Sequence, residues 1–580
     1  RCLNHCNVSW TRWAKTLSVE MSADRTTKRQ IALAGVAFIV LWTVLQILCP
    51  YHLAFKEQAD YFLLDRTFVL SFLMKPAFLS ELAGGWLTQF YMLVGFAPVV
   101  QTLLCALLWA GMSVFLKREG VSSPYLAALV PALLEGALSC LFEYPVSMTI
   151  GAVVSAWAAV ACQSFKGRLQ RPLELLMLLL GYPLIGAPVF LLLVLLLYKN
   201  RRSPGHALLL AVSLTAEIFL FRNIYRLTSA QAFVYPVVPG YYFGRAALIF
   251  YVEAGTLLAA LAAMSSDKWL RRFLRIICGL MIVFAFCLTV TPKEEWDIKI
   301  SSLAYYGKWD KVSEMGKTNP YKSVTGSYFY NVSSSREGTL PEDILEVYQP
   351  LWKGLFLAIN ENSGYRRVFD SVEALMVCGD FAQAQHSALL GMTFTPRQRS
   401  SRMLRRLCEI AMANGDFAAA GKYADMLQKT SLHRGWASSV LTMVESCERQ
   451  PVYGSADDIL FSANDWFASL RNLAEENDAA LDRLLCLDLL VKDIASFRKD
   501  YDTYYKPKHA SAPALYQQAL MMTFDENVSP SEQLSEYAIS SDVSEMCLEF
   551  ISRREAGEVL TPDSSFGKTY WYYYYFAQPQ

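Results

Sequence analysis

A chain of 580 residues carries 53 lysines and arginines against 52 aspartates and glutamates, a formal net charge of +1. That balance argues against a nucleic-acid-binding protein, whose affinity rests on an excess of cations. The hydrophobic share of 54% averages two unlike halves: apolar stretches recur from Ile31 to Val290, and none appears from Lys293 onward.

Residue 1 is Arg, and Met21 opens a more natural N-terminus. Residues 1–30 read as an N-terminal tail on the cytoplasmic side, because Arg25, Lys28 and Arg29 precede the first apolar run and cytoplasmic flanks collect cations. A membrane pass needs about 20 apolar residues. Seven stretches qualify as the clearest passes: Ile31 to Cys49, Leu93 to Leu116, Tyr125 to Phe142, Val146 to Phe165, Ala207 to Phe221, Ala246 to Met264 and Leu274 to Val290. Leu173 to Tyr198 is equally apolar but is broken at Gly181-Tyr-Pro183 and again at Gly186 and Pro188. It reads either as one kinked pass or as a hairpin that re-enters.

Charge favours the return. With a hairpin, Lys117, Arg118, Lys166, Arg168, Lys199, Arg201, Arg202 and the cluster Lys268 to Arg275 all face the cytoplasm. The C-terminal half then lies outside it. The expected architecture is all-α: a polytopic transmembrane bundle over residues 31–292, then a soluble helical-repeat domain over 293–580. The location expected is a bacterial inner membrane with a periplasmic C-terminal domain.

That second half shows apolar residues at helical spacing, as in Leu404, Leu407 and Cys408. Gly379-Asp-Phe-Ala-Gln-Ala384 returns as Gly415-Asp-Phe-Ala-Ala-Ala420, and Tyr306-Gly-Lys-Trp-Asp310 is a weaker copy two periods upstream. A glycine at a helix end followed by small alanines suits tetratricopeptide-like helix pairs, with an irregular helical bundle as the alternative. The seven consecutive aromatics from Tyr570 to Phe576 read as an element packed on the last repeat; a partner-binding or lipid-facing role is the other reading.

Lys56-Glu-Gln-Ala-Asp-Tyr-Phe62, Leu82-Ala-Gly-Gly-Trp-Leu-Thr-Gln-Phe-Tyr91, Tyr306-Gly-Lys-Trp-Asp310 and the closing Thr569 to Phe576 together resemble a multi-pass membrane-protein family of Bacteroidota with a helical-repeat C-terminal half. The resemblance covers nearly the whole chain from Met21. It implies architecture and brings no activity with it.

Chemistry is sought first in the loops. Glu57, Asp60 and Asp65 follow the first pass as candidate catalytic carboxylates. Arg66, Arg222, Arg226 and Arg245 are candidate ligand-binding residues, because guanidinium groups grip phosphate oxygens. All seven fall on the non-cytoplasmic side of the preferred topology. Such a face suits a polyprenyl-phosphate donor, with a carboxylate as general base or as holder of a divalent metal. Solvated loop charges are the bland reading. Glu135, Glu217 and Glu253 interrupt apolar runs and read as inter-helix hydrogen bonds or as a proton path.

The sequence contains no phosphate loop, dinucleotide fingerprint, zinc-protease motif or nucleophile elbow. The thirteen cysteines include no C-x-x-C pair, so no metal site or other cofactor is evident. The function expected is that of an integral membrane protein, partnered by the lipid bilayer, whose repeat surface binds a protein in envelope assembly or a membrane complex. The alternative is a glycosyltransferase-like enzyme using a lipid-linked donor; a transporter built on the broken helix ranks third.

Overall fold

The computed structural model describes residues 26–165, 167–237, 250–357, 359, 364–446 and 466–577. Among these residues every regular element is helical and there is no strand. The chain forms two compact units. The first is Arg1–Glu295 together with Gln428–Gly435; the second is Trp296–Leu427 with Trp436–Gln580.

Among the described residues four helices are long and apolar enough to cross a membrane: Thr26–Leu48, Phe96–Arg118, Pro204–Ile224 and Lys268–Tyr305. The last runs on past Val290 as Pro292–Tyr305. Shorter apolar helices occupy Pro124–Leu138, Val146–Cys162, Val189–Lys199 and Tyr251–Met264. Their outward faces are apolar rather than charged. Val36, Ile39 and Ile47 of the first helix are 58%, 65% and 67% exposed, and Leu208, Val212, Ile276, Leu280 and Val283 are exposed on two others. Inward faces pack through small residues. A Cβ on Gly151 would lie 2.6 Å from Pro188 Cγ, so the helix Val146–Cys162 and the turn beside it meet backbone to ring.

The broken stretch is two helices, Gln170–Ile185 and Val189–Lys199. Gly186 between them has φ +69°, and a Cβ there would lie 2.5 Å from Tyr235 O; both facts require glycine. The second helix comes back to the start of the first. Lys199 Nζ lies 2.7 Å from Glu174 Oε1, Asn200 Nδ2 2.8 Å from Glu174 Oε2, and His206 Nε2 3.0 Å from the same oxygen. Gln170 Nε2 adds a fourth contact at 3.0 Å; a fully buried carboxylate with four partners pins this return, as a buried charge requires. Lys199 Nζ also reaches Cys162 O, Arg118 reaches Val160 O, and Arg201 reaches Glu119. The basic helix ends 118 and 199 are thereby gathered at one end of the unit. Of the interior carboxylates, Glu135 accepts from Tyr144 Oη at 2.9 Å, whereas Glu217 and Glu253 each keep one buried oxygen without a partner among the described residues.

The second unit is built of helix pairs joined by a recurring turn. Gly379 and Gly415 have φ +73° and +72°. In each case the glycine N–H donates three residues back and the next N–H donates five residues back: to Met376 O and Leu375 O, and to Met412 O and Ala411 O. This is a Schellman closure, which needs a left-handed residue. The aspartate that follows then caps the next helix, Asp380 accepting from Gln383 N at 3.1 Å and Asp416 from Ala419 N at 2.9 Å. The weaker copy has the same closure at Gly307, φ +70°. The same closure occurs at Gly338, Lys492, Ala538 and Gly557, and at Lys492, φ +64°, it is followed by the cap Asp493. The aromatic tail is a helix, Tyr570–Phe576, capped by Thr569. Tyr570 Oη, Trp571 Nε1 and Tyr573 Oη donate to Leu489 O, Gln518 O and Leu490 O, so the tail is core of this unit.

Candidate functional site

The loop residues singled out from the sequence have separate local surroundings among the described residues. Glu57 is buried at the end of the helix Pro50–Gln58, and its Oε1 lies 2.7 Å from His433 Nε2. Asp60 is buried nearby and accepts from Tyr61 N at 2.8 Å. Asp65 caps the helix Arg66–Ser71, accepting from Thr67 N and Phe68 N. The Thr67 hydroxyl, with those amides, holds the Asp65 carboxyl below its ordinary range. Arg66 and Arg226 are exposed, and Arg222 is half-buried in the last turn of Pro204–Ile224. No described hydrogen bond or ion pair joins these three arginines to Glu57, Asp60 or Asp65. Arg245 lies outside the described residues. Among the described residues no group of three or more His, Cys, Asp or Glu side chains is arranged to hold a metal ion.

Sequence reasoning missed the other half of the Glu57 pair. His433 belongs to the segment Gln428–Gly435, which is part of the first unit. Leu64 N donates to Lys429 O at 2.7 Å and Ser431 N to Gln89 Oε1 at 3.1 Å, so three contacts seat the segment. Lys56, fully buried, donates to Ser139 O and Tyr144 O, both at 2.8 Å. These buried polar groups have hydrogen-bond partners, which is the pattern of a structural pin.

A cleft of about 480 Å³ opens in the second unit. One wall is the turn Tyr305, Tyr306, Gly307 and Trp309; the other is the face of Ser401–Ala413 that carries Arg405 and Arg406, with Arg336 and Glu373 between. Why these side chains meet is local. The helix Ser401–Ala413 places Arg402 and Arg406 one turn apart on the same face. Both close on Glu373 of the helix Tyr365–Val377: Arg402 Nη2 to Oε1 at 2.9 Å and Arg406 Nη2 to Oε2 at 2.7 Å. Burial alone would raise the Glu373 carboxyl, but the two guanidinium groups outweigh it and hold it below its ordinary value. Glu373 and Glu409 in turn hold Arg406 above its own, against the effect of burial. Behind this pair Asp370 accepts from the Ser301 hydroxyl and is pushed up to about 6 by burial.

The three lining arginines are not equivalent. Arg406 is consumed: its nitrogens reach Glu373, Glu409 and Tyr305 O. Arg405 donates only through Nε, to Glu409 at 3.0 Å, and its guanidinium lies 4.6 Å over the Trp436 ring. Arg336 is exposed and lies 5.5 Å over Trp309, with no hydrogen bond among the described residues. A second cavity, about 420 Å³, is lined by Lys317, Tyr330, Glu342, Asp343 and Glu346 and so has the opposite charge. The sequence signal for the first cleft was the triplet Arg402, Arg405, Arg406 on a helix otherwise buried, beside the motif Tyr306-Gly-Lys-Trp-Asp310.

No curated protein and no solved structure matches the chain. A family model does, over residues 26–577, and by that match the chain belongs to a family of unknown function, DUF6057.

Proposed function

We propose that the chain is an integral membrane protein of a bacterial inner membrane whose helical unit binds a protein partner in envelope assembly or a membrane complex. The observation that carries the reading is the cleft beside Tyr306 and Trp309, a preformed concave site with ring faces and the guanidinium groups of Arg336 and Arg405 on its walls. Insertion in a bilayer is supported by the outward apolar faces of Thr26–Leu48, Pro204–Ile224 and Lys268–Thr289. In water such surface costs roughly 25 cal/mol per Å². A periplasmic helical unit is supported by the gathering of Arg118, Lys199 and Arg201 at one end, the cytoplasmic end by the charge rule. Tyr51 N and His52 N donate to Glu295, which ties the start of Pro292–Tyr305 to the chain just after the first helix and is consistent with this reading. A tetratricopeptide-like stack is supported by the glycine closures at 307, 379 and 415.

The test is a photo-crosslinking residue placed at Tyr306 in growing cells, with Glu549, exposed on Ser541–Glu555, as the control position. The expected result is a discrete adduct from Tyr306 alone, containing one reproducible protein. Adducts equal at both positions, or none at either, overturn the reading.

A second reading, a transferase acting on a lipid-linked donor, has one observation in its favour: Glu57 and His433 form a buried carboxylate–imidazole pair at 2.7 Å, an arrangement used for general-base work. Glu57→Gln would then remove an envelope glycan while leaving the protein level unchanged.

A further inference from the structure

The cleft next to the Gly307 turn carries more specific information than its existence. Arginine presents five N–H donors in a planar fork that matches a carboxylate edge to edge. Arg405 spends one of those donors on Glu409, and both Nη groups lack a partner among the described residues. Trp436 underneath, at 4.6 Å, holds the fork in place, so little side-chain freedom is left to lose on binding. Arg336 repeats the arrangement over Trp309. The acidic residue in the cleft does not oppose an incoming anion, because Glu373 is already closed on both sides by Arg402 and Arg406. Three arginines against one glutamate line the space, and Tyr306 and Trp309 supply ring surface beside them.

We infer that the occupant is an acidic peptide segment: a side-chain carboxylate gripped by Arg405 and Arg336, with a neighbouring apolar residue laid against Tyr306 and Trp309. This deepens the partner-binding reading and rests on it. Charge complementarity selects the peptide's sign, and the ring surface selects an apolar neighbour over a run of bare charge. The volume of about 480 Å³ takes a few residues, so recognition is of a short segment.

The experiment pans a random-peptide display library against the purified full chain in detergent micelles, in parallel with R405Q, with R336Q and with Y306D, which fills the cleft with a repelling charge. The expected result is enrichment of Asp and Glu beside Phe, Leu or Tyr on the wild-type chain. A selected peptide is expected to bind about tenfold or more weakly to R405Q and to R336Q, and to lose affinity as its Glu becomes Gln. Peptides that bind through the cleft, lost in Y306D, but without acidic enrichment overturn the inference and leave the partner-binding reading standing. No cleft-dependent peptide at all overturns both. Inorganic phosphate that displaces selected peptides at low millimolar concentration overturns the inference in favour of a phosphorylated ligand. Circular dichroism and the melting profile of each variant separate lost binding from lost fold; Arg336 is exposed, so R336Q keeps the test open even where R405Q unfolds.

Discussion

Arg402 and Glu373 face each other at 2.9 Å with both side chains sealed from solvent. Arg406 approaches Glu373 from the other side at 2.7 Å, so one carboxylate bridges two guanidinium groups. Removing the carboxylate takes Glu373 away from the buried Arg402 cation, while Arg406 keeps Glu409 and Tyr305 O. Glu373→Ala is expected to destabilise the helical unit by about 3–5 kcal/mol, read as loss of hydrogen-exchange protection over Tyr365–Val377 and Ser401–Ala413. The pH sign follows from the lowered Glu373 value. Its stabilising contribution is present above the ordinary carboxyl value of 4.5 and is lost as pH falls through the lower folded value. The wild-type chain should therefore lose protection in these two helices in acid, and Glu373→Ala should show little further loss there.

Asp488 is a carboxylate placed at a cost. It is fully buried, and neither oxygen has a hydrogen-bond partner among the described residues. Burial, then the nearby charge of Asp500, pushes it up to about 8. A raised carboxyl favours the fold most below its ordinary value of 3.8, and that benefit is lost as pH rises toward 8. Asp488→Asn is expected to stabilise the chain by about 1–3 kcal/mol at pH 8 and to be near neutral at pH 4. Thermal melts of the purified protein at the two pH values decide it; equal effects at both refute the assignment.

The turn at Gly415 isolates backbone strain. Its φ is +72°, and a Cβ there would meet nothing within 4 Å. Gly415→Ala should cost about 1–2 kcal/mol through conformation alone, and Gly415→Asn less, since Asn tolerates the left-handed region better. A matched loss for Ala and Asn in denaturant titrations would show that the turn is not held as described.

Topology gives a binary outcome. With the basic ends of Phe96–Arg118 and Val189–Lys199 in the cytoplasm, a reporter active only outside it, fused after Gln580, should be active; one fused after Arg202 should be silent. The reverse pattern would place the helical unit inside and remove the periplasmic reading.

Much of the fold was legible because its signals are local. Apolar length marked the helices from Thr26 to Thr289, and Gly379 and Gly415 marked turns that require a left-handed residue. Lys492 has the same turn, yet a lysine carries no such signal in sequence. The break at Gly186 was visible, but only the packing of Lys199 on Glu174 decides that the chain doubles back. The tertiary partners of the candidate residues were not legible for the same reason. Glu57 looked like a free loop acid because its partner, His433, is distant in sequence and sits in a polar stretch of unremarkable composition. The guanidinium cluster of Ser401–Ala413 carries no motif in sequence; its burial against Glu373 and Tyr305 is a tertiary fact.

The segment that brings His433 to Glu57 also sets an order of events during synthesis. Glu57 leaves the ribosome 376 residues ahead of its imidazole. The first unit therefore stays unfinished through translation of its own helices and of the second unit as far as Leu427. A nascent chain halted before Gln428 would hold Glu57 with its imidazole still to come.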